Sequence, residues 1–333
     1  MKIFLTGAAG MVAKGIAPIL TASGHEIKAV DMKTPGDCGY TDFSVCNILD
    51  YDSLKTAMSS CDTVLHLAAI PRPNLADASE IFRVNCQGTF NIFRAAEENG
   101  IKKIVQASSV NVLGYSFGVK EAPIKYFPID EDHPTFTTDA YSFSKNVAED
   151  IAAYFWRRKN INCISFRIAG VSSIGALPRS ERYKAIRQSI IEIMDLPETE
   201  SRKTIDVMLN EFNKKRNELI FESSQYPKGI HSSEVVLPEM TRRICGLQCN
   251  LLAFIDPRDL AQAMIKGIEK DLPGCFNMYL NHTGNCLCID SARFIKYFFP
   301  NVTEIRKPFH SDESLISVDL AKNLLGFKPE FGL

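Results

Sequence analysis

The sequence predicts an α/β fold, a doubly wound parallel sheet with a smaller C-terminal region. Two observations carry that prediction. Short apolar runs alternate with helical patterns over the first two thirds of the chain, and a glycine-rich turn joins the first run to the first helix. Residues 3–6, 26–31, 63–68, 103–107 and 162–167 are apolar on consecutive positions and bounded by Gly, Asn or Asp, as buried strands are. Helical stretches at 79–99 and 140–159 fall between them. Alternation of this kind implies parallel strands with both faces covered by helices. Pro18 is a local conflict, because it sits inside the first predicted helix and removes one of its hydrogen bonds.

The rhythm changes near Ser172, so we divide the chain into 1–171, a dinucleotide-binding unit that also carries the reactive side chains, and 172–333, mainly a substrate-binding region. Residues 179–232 are charged, with Ile205, Met208, Leu209, Phe212 and Leu219 at helical spacing. That pattern fits a helix packed on the body of the protein, or else a lid or a subunit contact. Residues 251–270 return to a strand-then-helix pattern that belongs with the first unit, and 317–331 read as a terminal helix with a closing loop.

Composition narrows the function classes. Charged residues make up 23% and the formal net charge is −1, so no basic field points to nucleic acid or an acidic membrane surface. No apolar run approaches the ~20 residues that span a bilayer. The chain enters a strand pattern at once, which argues against a leader, and ten scattered cysteines suit a reducing, cytoplasmic setting. Cys245, Cys249, His282, Cys286 and Cys288 match no standard zinc spacing, so no metal is expected. His25 and His133 fall in predicted loops and are expected at the surface. No Ser-His-Asp elbow is present.

The turn Thr6-Gly7-Ala8-Ala9-Gly10-Met11-Val12-Ala13 follows a strand and opens a helix. Gly7 and Gly10 allow a tight bend and close approach of a pyrophosphate, and the helix N-terminus offers N–H groups and a positive dipole end. Asp31 ends the next strand, where a carboxylate accepts the ribose hydroxyls and repels a 2′-phosphate. The reading is a Rossmann site for NAD rather than NADP.

A second constellation is Tyr141-Ser142-Phe143-Ser144-Lys145. Positions i and i+4 share a helix face, so Tyr141 and Lys145 point the same way. An ammonium beside the phenol is expected to pull its pKa down from about 10 towards use as a base. Lys145 can also hold the nicotinamide ribose. Ser109 follows the strand that ends near Ala107, where its hydroxyl can bond the substrate oxygen that exchanges a proton. Tyr-x-x-x-Lys alone recurs by chance. Its weight comes from standing after the glycine turn, Asp31 and Ser108-Ser109 in that order.

Together these residues resemble the extended short-chain dehydrogenase/reductase superfamily, in particular its NAD-dependent epimerase/dehydratase family. Thr6 to Ala13 resembles the family's glycine turn, with Gly7, Ala9, Gly10, Met11 and Val12 at the cofactor. Asn47 and Ile48 stand where the family has an Asp and an aliphatic residue at the adenine. His66-Leu67-Ala68-Ala69 resembles the fourth-strand segment that lines the cofactor, with Pro71 just beyond. Asn85-Cys86-Gln87-Gly88-Thr89-Phe90-Asn91 resembles the NxxGTxN helix, and Phe254 to Ala261 the late "IDVRDLA" segment. The resemblance implies catalytic roles for Ser109, Tyr141 and Lys145. It implies cofactor contacts for Asn85, Ser108, Tyr141, Lys145 and Ile168 as well, and a homodimer built on the helices at 79–99 and 140–159.

The departures bear on substrate. Dehydratases of the family carry an acid pair after the reactive Ser/Thr. Here Val110 and Asn111 stand there, so elimination of water is disfavoured. Nucleotide-sugar epimerases show VYG and an Asn three residues past the "LR" arginine. Here those are Val112-Leu113-Gly114 and Gly170. The segments SSVNVLG and FRIAG are nearer to sugar-acid dehydrogenases. Asn111 and Arg72 are candidate substrate contacts. The expectation is hydride transfer at a hydroxyl or keto carbon of a sugar-like substrate, epimerase-like. The alternatives are a dehydrogenase of a free sugar or sugar acid and a non-catalytic NAD sensor.

Overall fold

In a computed structural model covering residues 1–40, 42–173, 177, 179–216 and 237–332, the core of the protein is a seven-stranded parallel sheet. Its strands are β1 (Lys2–Thr6), β2 (Glu26–Asp31), β3 (Asp42–Val45), β4 (Thr63–His66), β5 (Lys103–Ser109), β7 (Asn162–Ile168) and β10 (Cys275–Leu280). Short pairs form apart from it, β6 (Tyr126–Phe127) with β11 (Glu304–Ile305) and β8 (Gly170–Val171) with β9 (Phe254–Ile255). The sheet order is β10-β7-β5-β4-β1-β2-β3, with Leu5 opposite Leu65 on one side and Ala29 on the other. The chain therefore winds outward from β1 in one direction and from β4 in the other. The crevice between the C-terminal ends of β1 and β4 is the switch point where such sheets take ligands.

Helices α1 (Met11–Ala22), α9 (Pro257–Glu269) and α11 (Asp319–Leu325) cover one face of the sheet, in a core with Ile3, Leu5, Phe166 and Met278. Helices α2 (Tyr51–Ala57), α4 (Gly88–Glu98) and α5 (Ala140–Lys159) cover the other, with Phe4, Phe93 and Phe155. Burial on both faces explains the unbroken apolar runs of the central strands. The strands that reading missed, β3 and β10, lie at the two edges. An edge strand is covered less, so Asp-Phe-Ser-Val and Cys-Phe-Asn-Met-Tyr-Leu carry mixed polarity.

Pro18 does not break α1, because it stands on the solvent-facing side. The predicted helix 79–99 is interrupted: a short helix α3 (Ala78–Phe82) passes through a π-helical turn at Arg83–Gln87 into α4. The single run predicted at 179–232 is also divided. Helices α6 (Glu181–Asp195) and α7 (Glu198–Lys214) meet at Leu196-Pro197, and Leu219 lies outside the described residues. Ile186, Ile190, Met194, Ile205 and Phe212 bury into a third core with α8 (Glu239–Cys249) and α10 (Ser291–Phe298), so the described part of this region is packed on the body of the protein. The expectation for His133 needs correction. It is buried, with Nε2 accepting from Lys125 N at 2.9 Å, because β6 and its neighbouring loop fold over it.

Candidate active site

A crevice of about 490 Å³ opens at the switch point, lined by Gly7, Ala9, Gly10, Asp31, Asn47, Ile48, Leu67, Ala68 and Ala69 among others. Gly7 has φ +75°, and a Cβ there would lie 2.6 Å from Ala68 N and 2.7 Å from Leu67 C. Only glycine fits, and the bend brings the turn against the end of β4. Gly10 caps α1 with no side chain of its own and lines the crevice, so the positive end of the helix dipole opens there, whereas Met11 and Val12 are not among the lining residues. Asp31 braces the turn: its Oδ2 accepts Ala9 N and its Oδ1 accepts Lys33 N, each at 3.0 Å. Each oxygen keeps a lone pair for a further donor. Asn47 Oδ1 accepts Leu49 N at 3.0 Å, which leaves its amide group towards the crevice wall.

A buried polar chain fixes the floor. Thr89 Oγ1 donates to Asn85 O at 2.6 Å, so its lone pair faces His66 Nε2 at 3.1 Å. His66 Nε2 is then the protonated nitrogen, and Nδ1 accepts the Thr6 hydroxyl at 2.7 Å, while Thr6 Oγ1 accepts Ala68 N at 3.3 Å. Burial, with the Lys145 charge adding to it, pulls the His66 pKa down to about 3. A neutral ring therefore locks β1, β4 and α4 together.

Ser109, Tyr141 and Lys145 meet at the C-terminal edge of β5, all buried. Helix α5 runs back along β5. Tyr141 bonds Ser109, Lys145 Nζ donates to Ala107 O at 2.7 Å, and Gln106 Nε2 donates to Ala148 O at 3.0 Å. Asp139 caps the helix, accepting Ser142 N at 2.9 Å. Ser109 Oγ also accepts Asn111 Nδ2 at 3.1 Å, and Asn111 Oδ1 is buried with no partner among the described residues.

The electrostatics differ from expectation. Tyr141 is pushed up to about 12 by burial and by the Asp139 carboxylate, with the Ser109 bond acting the other way. Lys145 is pulled down to about 8 by burial, against support from Cys86 and Glu149. With its pKa near 8 the amine has lost its charge before a phenol near 12 titrates, so Lys145 does not depress Tyr141.

The other candidates fall in several places. Asn85 lies in the π-helical turn with its amide turned inward, accepting Ile70 N at 2.7 Å and donating to Ile70 O at 3.1 Å and Ser144 Oγ at 2.9 Å. Ser108 turns its hydroxyl to Glu149 at 2.6 Å. Ile168 is buried at the end of β7. Pro71 and Arg72 are exposed on the loop after β4 and do not line the crevice. Sequence reasoning missed Glu80 and Arg83 on the crevice rim, whose i,i+3 ion pair was a usable signal. It also missed Phe117, packed edge-on to Tyr141 at 5.8 Å, for which nothing local gives a signal.

The profile of the NAD dependent epimerase/dehydratase family matches residues 3–216, and the chain belongs to that family. The NAD assignment read from Asp31 agrees with it. Among similar curated proteins are a uronate dehydrogenase of Pseudomonas syringae pv. tomato, 29% identical over 50% of this chain and 58% of that one, and an N-acetyl-alpha-D-glucosaminyl-diphospho-ditrans,octacis-undecaprenol 4-epimerase of Escherichia coli O157:H7, 31% identical over 47% and 44%. The chain thus spans little more than half the length of the uronate dehydrogenase it matches. A solved short-chain dehydrogenase/reductase protein from Agrobacterium tumefaciens with bound NAD superposes with a TM-score of 0.63 at 19% identity, covering 99% of this chain and 93% of that one. At that identity the likeness concerns the fold. Among the described residues no group of His, Cys, Asp and Glu suits a metal ion, and no helix is long and apolar enough to cross a membrane.

Proposed function

We propose that the protein oxidises a carbinol carbon of a free sugar acid of the uronate kind with NAD, releasing the product rather than epimerising it. The observation that carries the reading is the assembly of Ser109, Tyr141 and Lys145 on one sheet edge beside the dinucleotide crevice. Gly7, Gly10, the first turn of α1, Asp31 and Asn47 would hold NAD, with the Gly7 bend pressed so close to the Leu67–Ala68 backbone that no Cβ fits. NAD held there would supply the hydride acceptor and a positive charge. Tyr141 takes the substrate's hydroxyl proton, Ser109 orients that oxygen, and Lys145 anchors the ribose side. Asn111 Oδ1, orphaned and buried beside Ser109, is placed for a neighbouring substrate hydroxyl.

The similarity to a uronate dehydrogenase supports the dehydrogenase reading. Packing supports it too. A Cβ at Gly170 would lie 2.8 Å from the Phe254 ring, so an Asn where nucleotide-sugar epimerases carry one would force that ring to shift. The second reading, epimerisation, is favoured by the 31% identical epimerase. Incubation with glucuronate or galacturonate separates them. Stoichiometric NADH is expected; tightly retained NAD with no net NADH on any sugar sinks the dehydrogenase.

The reading includes a homodimer through α3, α4 and α5. Phe82, Phe90, Phe143 and Tyr154 are all exposed there, stacked in the pairs Phe82–Phe143 at 6.0 Å and Phe90–Tyr154 at 6.2 Å. It also includes a cytoplasmic setting, supported by ten free cysteines.

A further inference from the structure

Behind Lys145 lies a buried set of charges that the chemistry above does not use. Glu149 stands one helical turn beyond Lys145 on α5, and its side chain is 4% exposed. Its Oε1 accepts the Ser108 hydroxyl at 2.6 Å and Arg167 Nε at 3.0 Å, and its Oε2 accepts Arg167 Nη2 at 2.9 Å. Sheet register places Ser108 and Tyr279 on either side of Arg167, and Arg167 Nη1 reaches the Tyr279 hydroxyl at 3.3 Å. One row across β5, β7 and β10 is thus closed by a carboxylate from the catalytic helix.

A buried ion pair is a poor source of stability, since apolar side chains of similar volume serve as well or better. Its position suggests another use. Lys145 has left water, and burial disfavours its charge, while the Glu149 carboxylate one turn away favours it. The other groups facing the amine are Tyr141 on the same helix, the Cys86 thiol from the π-helical turn and neutral His66 from β4. On the far side of Glu149, Arg167 carries a full charge. Cys163, Tyr279 and the half-buried Glu131 complete its surroundings.

We propose that Glu149 is a positioning residue of the hydride-transfer site: its carboxylate, held by Arg167 and Ser108, is the internal counter-charge that keeps Lys145 an ammonium against β5. The inference rests on the reading of Lys145 as part of the reaction centre. The Lys145 amine is titrated directly by NMR of protein carrying ¹³C-lysine, its signal identified with Lys145→Met. The wild-type midpoint is expected near 8. Glu149→Gln lowers it by roughly one pH unit, Arg167→Gln raises it, and Tyr279→Phe, which loosens the row without changing its charge, leaves it in place. An unchanged midpoint in folded Glu149→Gln overturns the proposal, as does an equal shift in Tyr279→Phe. Should Glu149→Gln fail to fold, an unchanged or lowered midpoint in Arg167→Gln overturns it. The titration needs no substrate, so a failed uronate assignment and a failed role for Glu149 are told apart.

Discussion

Tyr141 and Lys145 show how a side chain's neighbours decide its chemistry. The phenol is raised to about 12 and the amine lowered to about 8, both first by burial. At neutral pH the phenol is protonated and ready to donate. Accepting a proton requires a positive charge to arrive beside it. Tyr141→Phe is expected to cut turnover on any accepted sugar by about 10²–10⁴-fold while leaving the dinucleotide affinity near wild type; steady-state rates and NADH fluorescence titration check both halves. Lys145 has a stability signature as well. Its folded pKa lies below its unfolded value of 10.5, so the unfolded chain binds more protons between about 8 and 10.5 and stability rises with pH across that window. Below about 8 the folded state carries the full penalty of the buried charge. Lys145→Met is therefore expected to raise Tm at pH 7, and the gain to shrink towards pH 10. At Asp31, replacement by Ser is expected to move the preference between NAD and NADP by about tenfold towards NADP, measured as the ratio of dissociation constants. These residues were picked out by the order of the glycine turn, Asp31, Ser108-Ser109 and Tyr141-x-x-x-Lys145 together with the family resemblance. Their electrostatics were not legible there, because burial comes from Phe117 and from helices far along the chain, and Glu149 meets Arg167 only through the register that sets Ser108 beside it.

At the scale of elements, the glycine turn and the β4 end act as one unit. Gly7→Ala is expected to lose dinucleotide binding, because the residue's φ is +75° and the new Cβ would meet the Leu67–Ala68 backbone; equilibrium dialysis with NAD gives the readout, and binding near wild type refutes it. The Thr6–His66–Thr89 chain depends on a neutral ring. His66 has a folded pKa of about 3, below its usual 6.5, so the unfolded state binds more protons in between and stability falls as pH drops through that range. His66→Asn is expected to be destabilised near pH 7 but to lose less further stability down to pH 4, as followed by thermal melts. Strands buried on both faces were legible as apolar runs, whereas edge strands β3 and β10 were not. The break in the predicted helix 79–99 was also hidden. Asn85 and Thr89 stood out as part of the NxxGTxN pattern, but their inward partners Ile70, Ser144 and His66 come from other parts of the chain.

At the scale of the molecule, the sheet carries the dinucleotide crevice and α6, α7, α8 and α10 form a second core beside it. That core also takes in Val110, Leu113, Phe127 and Ile129, which come before the rhythm change near Ser172, and the hairpin of α6 and α7 was read as one run because their apolar stripes continue past Pro197. The exposed aromatic face of α4 and α5 belongs to the same scale. If the proposed dimer forms, Phe90→Glu with Phe143→Glu is expected to convert it to a monomer in light scattering, and a wild-type monomer at micromolar concentration refutes that interface. Asn85 gives the crevice and the catalytic helix a common fate. One amide holds Ile70 through both its backbone groups and Ser144 through its hydroxyl. A dinucleotide that stiffens the segment after β4 also restrains the turn of α5 next to Tyr141, and by thermodynamic reciprocity a ligand seated at Tyr141 tightens the grip on the adenine end by the same factor. Positive coupling between the two ligands is then expected to pass through this side chain, and Asn85→Ala is expected to weaken it, as each affinity measured with and without the other ligand would show.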